Sequence, residues 1–224
     1  MQRQIILTRD GSHSISMPEM NVAYHSIHGA IQESMHVFIR SGLDHIRDIF
    51  PGQPLQILEI GLGTGLNALL TLQEAERLQL PVHYTALEPF PLEQETALQL
   101  NYAGQLANPE LQQHFIPVHT SAWEQDAALS PFFTIHKKNI SLLEFSSPPA
   151  FHLIYFDAFA PTAQPELWTK EVFERLHEAL LSSGALVTYC SKADVRRAMQ
   201  AAGLNVKKPP GPWGKREMIR ATKP

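Results

Sequence analysis

A single cysteine, Cys190, stands in the 224 residues, so no internal disulfide can form. It follows the apolar run Ala185-Leu186-Val187-Thr188-Tyr189, where a buried thiol is expected. Long hydrophobic runs are missing too. None approaches the ~20 residues needed to span a bilayer, so no membrane partner is expected. Only a short apolar run follows Met1-Gln2-Arg3-Gln4, with no small-residue cleavage site, which argues against a signal peptide. These absences predict a reducing, cytoplasmic setting. No internal repeat or low-complexity tract is present. Of the eleven histidines, His25, His28 and His36 form neither a clean i, i+4 pattern nor an H-E-x-x-H context, so no metal site is expected. Charged residues make up 18% of the chain and hydrophobic ones 44%, ordinary values for a globular protein. One domain over residues 1–224 is expected, with 1–50 as an N-terminal cap and 51–224 as the core.

What charge there is divides unevenly. Residues 186–224 hold nine basic side chains against Asp194 and Glu217, whereas the rest of the chain holds nine basic and twenty acidic ones. A basic end on an acidic body is the electrostatic footprint of a face that meets a polyanion, with nucleic acid the natural candidate. The plain alternative is a solvated helix and hairpin whose charges happen to be positive.

The most informative stretch is Leu55-Gln56-Ile57-Leu58-Glu59-Ile60-Gly61-Leu62-Gly63-Thr64-Gly65-Leu66-Asn67. An apolar run reaches an acid, passes three glycines and enters a helical pattern. This is a strand, a tight turn and a helix start, the geometry that cradles a nucleotide-like ligand. The spacing is not that of a dinucleotide-binding turn, because Leu66 stands where G-x-G-x-x-G requires its last glycine. Glu59 would repel a pyrophosphate but suits a cation. Gly61, Gly63, Gly65 and the adjacent Asn67 are candidate cofactor contacts. This E-x-G-x-G-x-G pattern resembles motif I of class I S-adenosyl-L-methionine (SAM) methyltransferases, whose cofactor carries a sulfonium and an amino group. A second strand, His83 to Leu87, ends at Glu88, and an acid at that distance from a glycine loop accepts hydrogen bonds from ribose hydroxyls.

Alternating strands and helices predict an α/β, Rossmann-like, mostly parallel sheet. Strands are expected near 55–60, 83–87, 132–136, 151–156 and 184–189, and helices near 30–49, 65–78, 91–106, 165–181 and 192–202. Gln4 to Ser16 reads as a hairpin about Asp10-Gly11. Residues 204–208 and 217–222 read as a closing antiparallel hairpin. Residues 107–131, which contain His114-Phe115-Ile116-Pro117-Val118 and Ser121-Ala122-Trp123, are expected to hold another short strand and a loop.

The strand at 151–156 runs into Asp157-Ala158-Phe159-Ala160-Pro161, and ligands in doubly wound sheets bind beyond the carboxyl ends of the strands. Asp157 therefore falls at the ligand edge. An acid followed by an aromatic residue and proline resembles motif IV of amine-directed methyltransferases. Methyl transfer to nitrogen needs an oriented lone pair, and a carboxylate could bind an ammonium and help remove its proton. The plain alternative is a helix cap.

Three segments carry a more specific resemblance. Asp157-Ala158-Phe159-Ala160-Pro161-Thr162-Ala163-Gln164-Pro165-Glu166-Leu167-Trp168-Thr169 is similar to the D-[GA]-F-A-P-x-x-x-P-[DE]-[ML]-W-[TS] signature of the methyltransferase domain in the MnmC family of bifunctional tRNA-modification enzymes. Tyr24 to Phe38 resembles the family's Y-x-S-x-x-x-G-x-x-E-[TS]-x-x-V-F with Gly29 one position early, and Gly214 to Met218 resembles its G-x-K-R-E-M without the variable residue. The resemblance implies a class I methyltransferase with a seven-stranded sheet. It also implies N-methylation of 5-aminomethyl-(2-thio)uridine at the tRNA wobble position, with SAM as cofactor and tRNA as partner. Tyr24, Gly29 and Glu33 would border the cofactor, and Asn139 would meet its adenine. Phe159 and Pro161 would contact the substrate, and Lys207, Lys208, Lys215 and Arg216 its phosphates. The family's oxidase domain has no counterpart within these residues, so a stand-alone methyltransferase is expected. An aminopropyltransferase of the spermidine-synthase type and a non-catalytic RNA-binding module of the same fold are the alternatives.

Overall fold

The computed structural model describes residues 2–224. A small antiparallel sheet opens the chain: β1 (Gln4–Leu7), β2 (His13–Met17) and β3 (Val22–Ala23). The β1–β2 connection is wider than a two-residue turn, because Leu7 pairs with His13. Asp10 closes it by accepting hydrogen bonds from the Thr8 hydroxyl (2.7 Å) and the Ser12 amide (3.1 Å). A helical stretch follows in three parts: α1 (Ala30–Ser34), a π-helical segment Met35–Leu43, and α2 (Asp44–Arg47).

The main sheet contains β4 (Leu55–Ile60), β5 (Val82–Leu87), β6 (Asp126–Ser130), β7 (Phe133–Lys138), β8 (Phe151–Phe156), β9 (Leu180–Thr188), β10 (Asn205–Lys207) and β11 (Ile219–Thr222). The strand order is β10-β11-β9-β8-β4-β5-β7-β6. The five central strands, β9 through β7, run parallel, and both edges are antiparallel. The α/β class, the mostly parallel sheet and the C-terminal hairpin thus follow expectation. The sheet has eight strands rather than seven, because β6 pairs on the outside of β7.

The helices are α3 (Leu66–Leu78), α4 (Gln94–Leu98), α5 (Tyr102–Gln105), α6 (Leu111–Thr120), α7 (Lys170–Ala179) and α8 (Ala193–Ala201). Strand side chains alternate between two cores, as the period of two demands. Ile57, Leu153, Tyr155 and Val187 pack with Phe38, Leu69 and Phe115 on one face. Leu58, Ile154, Phe156 and Leu186 pack with Phe173, Leu176 and Met199 on the other. Because both faces are covered, the central strands are apolar throughout. That is why they read so clearly in the sequence.

The short strand expected within 107–131 is β6, while the run 114–118 is helical, within α6. Leu111, Phe115 and Val118 recur at helical spacing and bury one face, and this outweighs the β-prone Ile116-Pro117-Val118. The single helix expected over 91–106 is broken between α4 and α5. There Asn101 accepts from the His13 amide (2.8 Å) and donates to the Gly11 carbonyl (2.9 Å), a tie to the N-terminal hairpin. The helix expected over 165–181 starts as a 3-10 turn, Pro165–Trp168, and restarts as α7 with Thr169 capping the Val172 amide.

Candidate active site

The carboxyl ends of β4, β5 and β8 meet at a cavity of about 690 Å³. One wall is the glycine loop after β4. Gly61 has φ +87°, and a Cβ there would stand 3.1 Å from the Asp157 carbonyl oxygen. Gly63 has φ +51°, and its Cβ would stand 2.9 Å from the ring of Tyr24. Both positions therefore need glycine for conformation and for space. The loop is clamped at Thr64: His25 Nε2 lies 2.6 Å from its hydroxyl, and His119 Nε2 donates to its carbonyl (3.1 Å). Burial pushes both imidazoles down to about 4, so near neutral pH they act as uncharged clamps.

Glu88 lines the cavity at the end of β5. Its carboxylate accepts the Gly63 amide through one oxygen and the Phe90 amide through the other, each at 2.9 Å. Each oxygen keeps a lone pair for a further donor. Arg3 closes this end by donating to the carbonyls of Phe90 (2.7 Å) and Pro91 (2.9 Å). Beneath Glu88 sits Lys137, fully buried, donating to the His119 carbonyl (2.9 Å) and lying 4.9 Å from the Trp123 ring centre. Burial without a carboxylate partner lowers its ammonium to about 8.

Asp157 lines the same cavity after β8. A single amide joins it to Glu59: Asn67 Nδ2 donates to Glu59 Oε1 and to Asp157 Oδ2, both at 2.9 Å. The second oxygen of Glu59 and the side-chain oxygen Oδ1 of Asn67 are buried without a partner. Burial raises Glu59 well above the usual carboxylate range, and the charge of Asp157 adds to this. Burial is also the largest influence on Asp157, followed by the Glu33 charge, and together they carry it up to about 7 against the opposing pull of Asn67 and Lys215. A carboxyl group titrating near neutrality is able to take up a proton in one step and release it in another.

The loop after Asp157 is held by three side chains. Tyr189 donates its hydroxyl to the Ala158 carbonyl (2.8 Å), Trp168 Nε1 donates to the Phe159 carbonyl (2.9 Å), and Gln164 Oε1 accepts the Phe159 amide (3.0 Å). Tyr24 packs edge-on against Phe159 with ring centres 5.1 Å apart.

Of the residues singled out from sequence, Tyr24, Gly61, Gly63, Glu88, Asp157 and Phe159 line the cavity. Glu59 and Asn67 are buried and do not reach its wall, so the expectation that Glu59 faces a ligand cation is replaced by a place behind the loop, linked to Asp157. Gly65 caps α3 against His119, and Gly29 caps α1 against Asp10. Asn139 spends its side chain on the Glu88 carbonyl (2.8 Å), while Ser141, Leu142 and Leu143 beyond it line the cavity. Pro161 opens the turn that follows Asp157 and stands off the wall.

Two of the four cations expected on phosphates form ion pairs with carboxylates of this chain. Lys215 Nζ donates to Glu33 Oε1 (2.5 Å) and sits 4.2 Å from the Tyr189 ring centre, while Lys208 Nζ donates to both oxygens of Glu217 at 3.0 Å. Glu33 is thereby committed to Lys215 and to the Ser26 amide (2.9 Å), away from the cavity wall. Lys207 and Arg216 are exposed. His25, His28 and His36 diverge: His25 faces Thr64, His28 packs on Gly214, and His36 lies 2.8 Å from the Pro210 carbonyl. Arg3 and Tyr189 lie outside any motif and Gln164 at a variable position of one, so none of the three carries a local sequence signal.

Comparisons with known proteins agree with this fold. A family of S-adenosyl-L-methionine-dependent methyltransferases matches residues 105–224. The tRNA 5-methylaminomethyl-2-thiouridine biosynthesis bifunctional protein MnmC of Cupriavidus metallidurans is 28% identical over 230 residues, which cover 96% of this chain and 33% of that protein. The chain thus spans about a third of the length of the curated relatives it matches. MnmC2 from Aquifex aeolicus superposes over 100% of this chain and 71% of its own, with a TM-score of 0.79 at 22% identity. Spermidine synthase from Thermotoga maritima shares the fold more loosely, with a TM-score of 0.56 at 13% identity over 99% of this chain and 68% of its own.

Proposed function

The chain belongs to the S-adenosyl-L-methionine-dependent methyltransferases, and on that premise we propose that it methylates the aminomethyl nitrogen of 5-aminomethyl-(2-thio)uridine at the wobble position of tRNA. The observation that carries this reading is Asp157, a carboxyl group held near neutrality on the wall of the cavity that the glycine loop and Glu88 also line. The resemblance to MnmC supplies the substrate.

The residues fit the cofactor. The cavity is large enough for a nucleoside joined to an amino acid, Glu88 offers unused lone pairs to ribose hydroxyls, and the glycine loop lets backbone approach closely. Tyr24, whose ring packs on Gly63, would cover it. When bound, S-adenosyl-L-methionine supplies an electrophilic methyl group. The chain's own residues must bind, deprotonate and aim the amine.

Asp157 is the acceptor in this reading. The neighbouring carbonyls of Ala158 and Phe159 already accept hydrogen bonds from Tyr189 and Trp168, so the carboxylate is the strongest acceptor left on the loop. An alkylammonium would donate to Oδ1 or Oδ2 and pass its proton to the carboxylate, freeing the nitrogen lone pair. Asn67 holds the Asp157 side chain in place, and the rigid loop supplies orientation, which this reaction rewards most. Phe159, wedged against Tyr24, would pack on the uracil ring.

Undermodified tRNA incubated with the protein and isotope-labelled S-adenosyl-L-methionine tests this. Nucleoside mass spectrometry should find the label in 5-methylaminomethyluridine or its 2-thio form. Absence of label there, with aminopropyl transfer from decarboxylated cofactor to a free amine, would assign the chain to the spermidine-synthase type instead.

A further inference from the structure

The segment between β10 and β11 is a closed, projecting loop. The Met218 amide donates to the Pro209 carbonyl (3.0 Å), the Gly211 amide to the Arg216 carbonyl (3.1 Å), and the Lys215 amide to the Pro212 carbonyl (2.9 Å). The Lys208–Glu217 ion pair ties its base. At its tip Trp213 is 74% exposed, whereas Trp168 is buried at 5%. An indole on a braced loop cannot fold back into the core, so its apolar surface stays in water.

The loop is fastened to the active-site side of the molecule. Gly214 approaches so closely that a Cβ there would lie 2.8 Å from the His28 ring. His36 lies 2.8 Å from the Pro210 carbonyl. Lys215, two residues from the tryptophan, reaches Glu33 and covers Tyr189, whose hydroxyl holds the carbonyl next to Asp157. Arg216, on the same loop, and Lys207, at its start, are exposed and form no ion pair among the described residues. An exposed aromatic on the same hairpin as unpaired cations is an arrangement that binds unpaired nucleotides: the ring stacks on a base, and the cations meet the backbone.

We propose that Trp213 is a stacking platform for an unpaired base of the RNA substrate, flanking the nucleotide that enters the cavity, with Arg216 and Lys207 on the adjoining phosphates. This rests on the tRNA reading above and adds to it a residue that selects a single-stranded loop over a duplex. Stacking needs the π-face and not the indole nitrogen, so phenylalanine should substitute.

The test is fluorescence anisotropy of a labelled anticodon stem-loop with wild type, Trp213→Ala and Trp213→Phe, alongside cofactor affinity and thermal midpoint. Trp213→Ala should bind the stem-loop about ten-fold more weakly. Its cofactor affinity and midpoint should change little, since the residue is 74% exposed and stands outside the cavity wall. Trp213→Phe should stay within about three-fold of wild type by the same stacking argument. Its intrinsic emission should lose the quenching that RNA causes in the wild type. Wild-type binding retained in Trp213→Ala would overturn the platform alone and leave the indole to a protein contact. No binding of the stem-loop by the wild type would overturn the platform and the tRNA reading together.

Discussion

The two walls of the cavity are built in opposite ways. Its glycine-loop wall is shaped mainly by one stretch of chain, residues 55–90, where Glu88 takes the amides of Gly63 and Phe90, and the neutral imidazoles of His25 and His119 only clamp Thr64 from outside. The wall around Asp157 joins segments far apart in sequence: Asn67, Tyr189, Trp168 and, through the Glu33–Lys215 pair, the N-terminal helix and the C-terminal loop. Local chain geometry sets the main shape of a pocket for a cofactor. A group that must hold or lose a proton near neutral pH needs desolvation and balanced charges, which only distant segments can supply.

The largest expected effect is on the second wall. Asp157→Ala should lower single-turnover methyl transfer by about 10²-fold or more, while cofactor affinity stays within a few-fold. An unchanged rate would reduce Asp157 to a turn residue and erase the contrast. Activity of the wild type should rise as pH climbs through about 7, because the acceptor must be ionised.

Next is the first wall. Glu88→Ala removes a charged acceptor and leaves two backbone amides unpaired, so cofactor affinity should fall by roughly ten-fold or more, from the ~1.5–3 kcal/mol carried by hydrogen bonds to a charged group. Calorimetry giving unchanged affinity in a folded variant would remove Glu88 from the ribose.

Stability sharpens the contrast. The folded pKa of Asp157 lies above its unfolded value, so between about 4 and 7 the folded protein binds more protons than the unfolded chain. Stability contributed by this group is therefore present at low pH and lost as pH rises through about 7. Asp157→Asn should gain about 1–3 kcal/mol of unfolding free energy over wild type at pH 8, and little at pH 4. Denaturant titrations at the two pH values would show it, and an equal change at both would separate the effect from protonation.

The smallest effect distinguishes paired from unpaired cations. Replacing Lys207 and Arg216 should lower RNA affinity and flatten its salt dependence by about one unit of slope per lost phosphate contact. Replacing Lys215 should instead raise the Asp157 pKa, since its positive charge holds that pKa down, and shift the pH–rate profile upward. Filter binding over a salt series and rate profiles over pH would separate the two. A salt slope lowered as much by Lys215→Ala would show that the Glu33 pair opens to RNA.

How much was legible depends on the range of the signal. Central strands announced themselves because Ile57, Ile154 and their neighbours are apolar on both faces. Edge strand β6, with the sequence Asp-Ala-Ala-Leu-Ser, carries no such run, so its exact place within 107–131 is not legible. In α6 the helical spacing of Leu111, Phe115 and Val118 is masked by a β-prone tripeptide. Lys208 and Lys215 looked like free cations because Glu33 lies 182 positions from Lys215 and Glu217 nine from Lys208, beyond the reach of any local pattern.

The sequence by itself determined the doubly wound sheet, the glycine loop with its acid at Glu88, and the placing of Asp157 at a strand end, because each follows from periodicity or from backbone conformations that only certain residues adopt. Tertiary structure alone decided that Asn67 would bind Glu59 to Asp157, that two of four basic residues would be neutralised, and that Trp213 would stand in solvent. Those outcomes depend on which side chains meet across the fold and on how much water is left between them, and neither quantity is written in neighbouring residues.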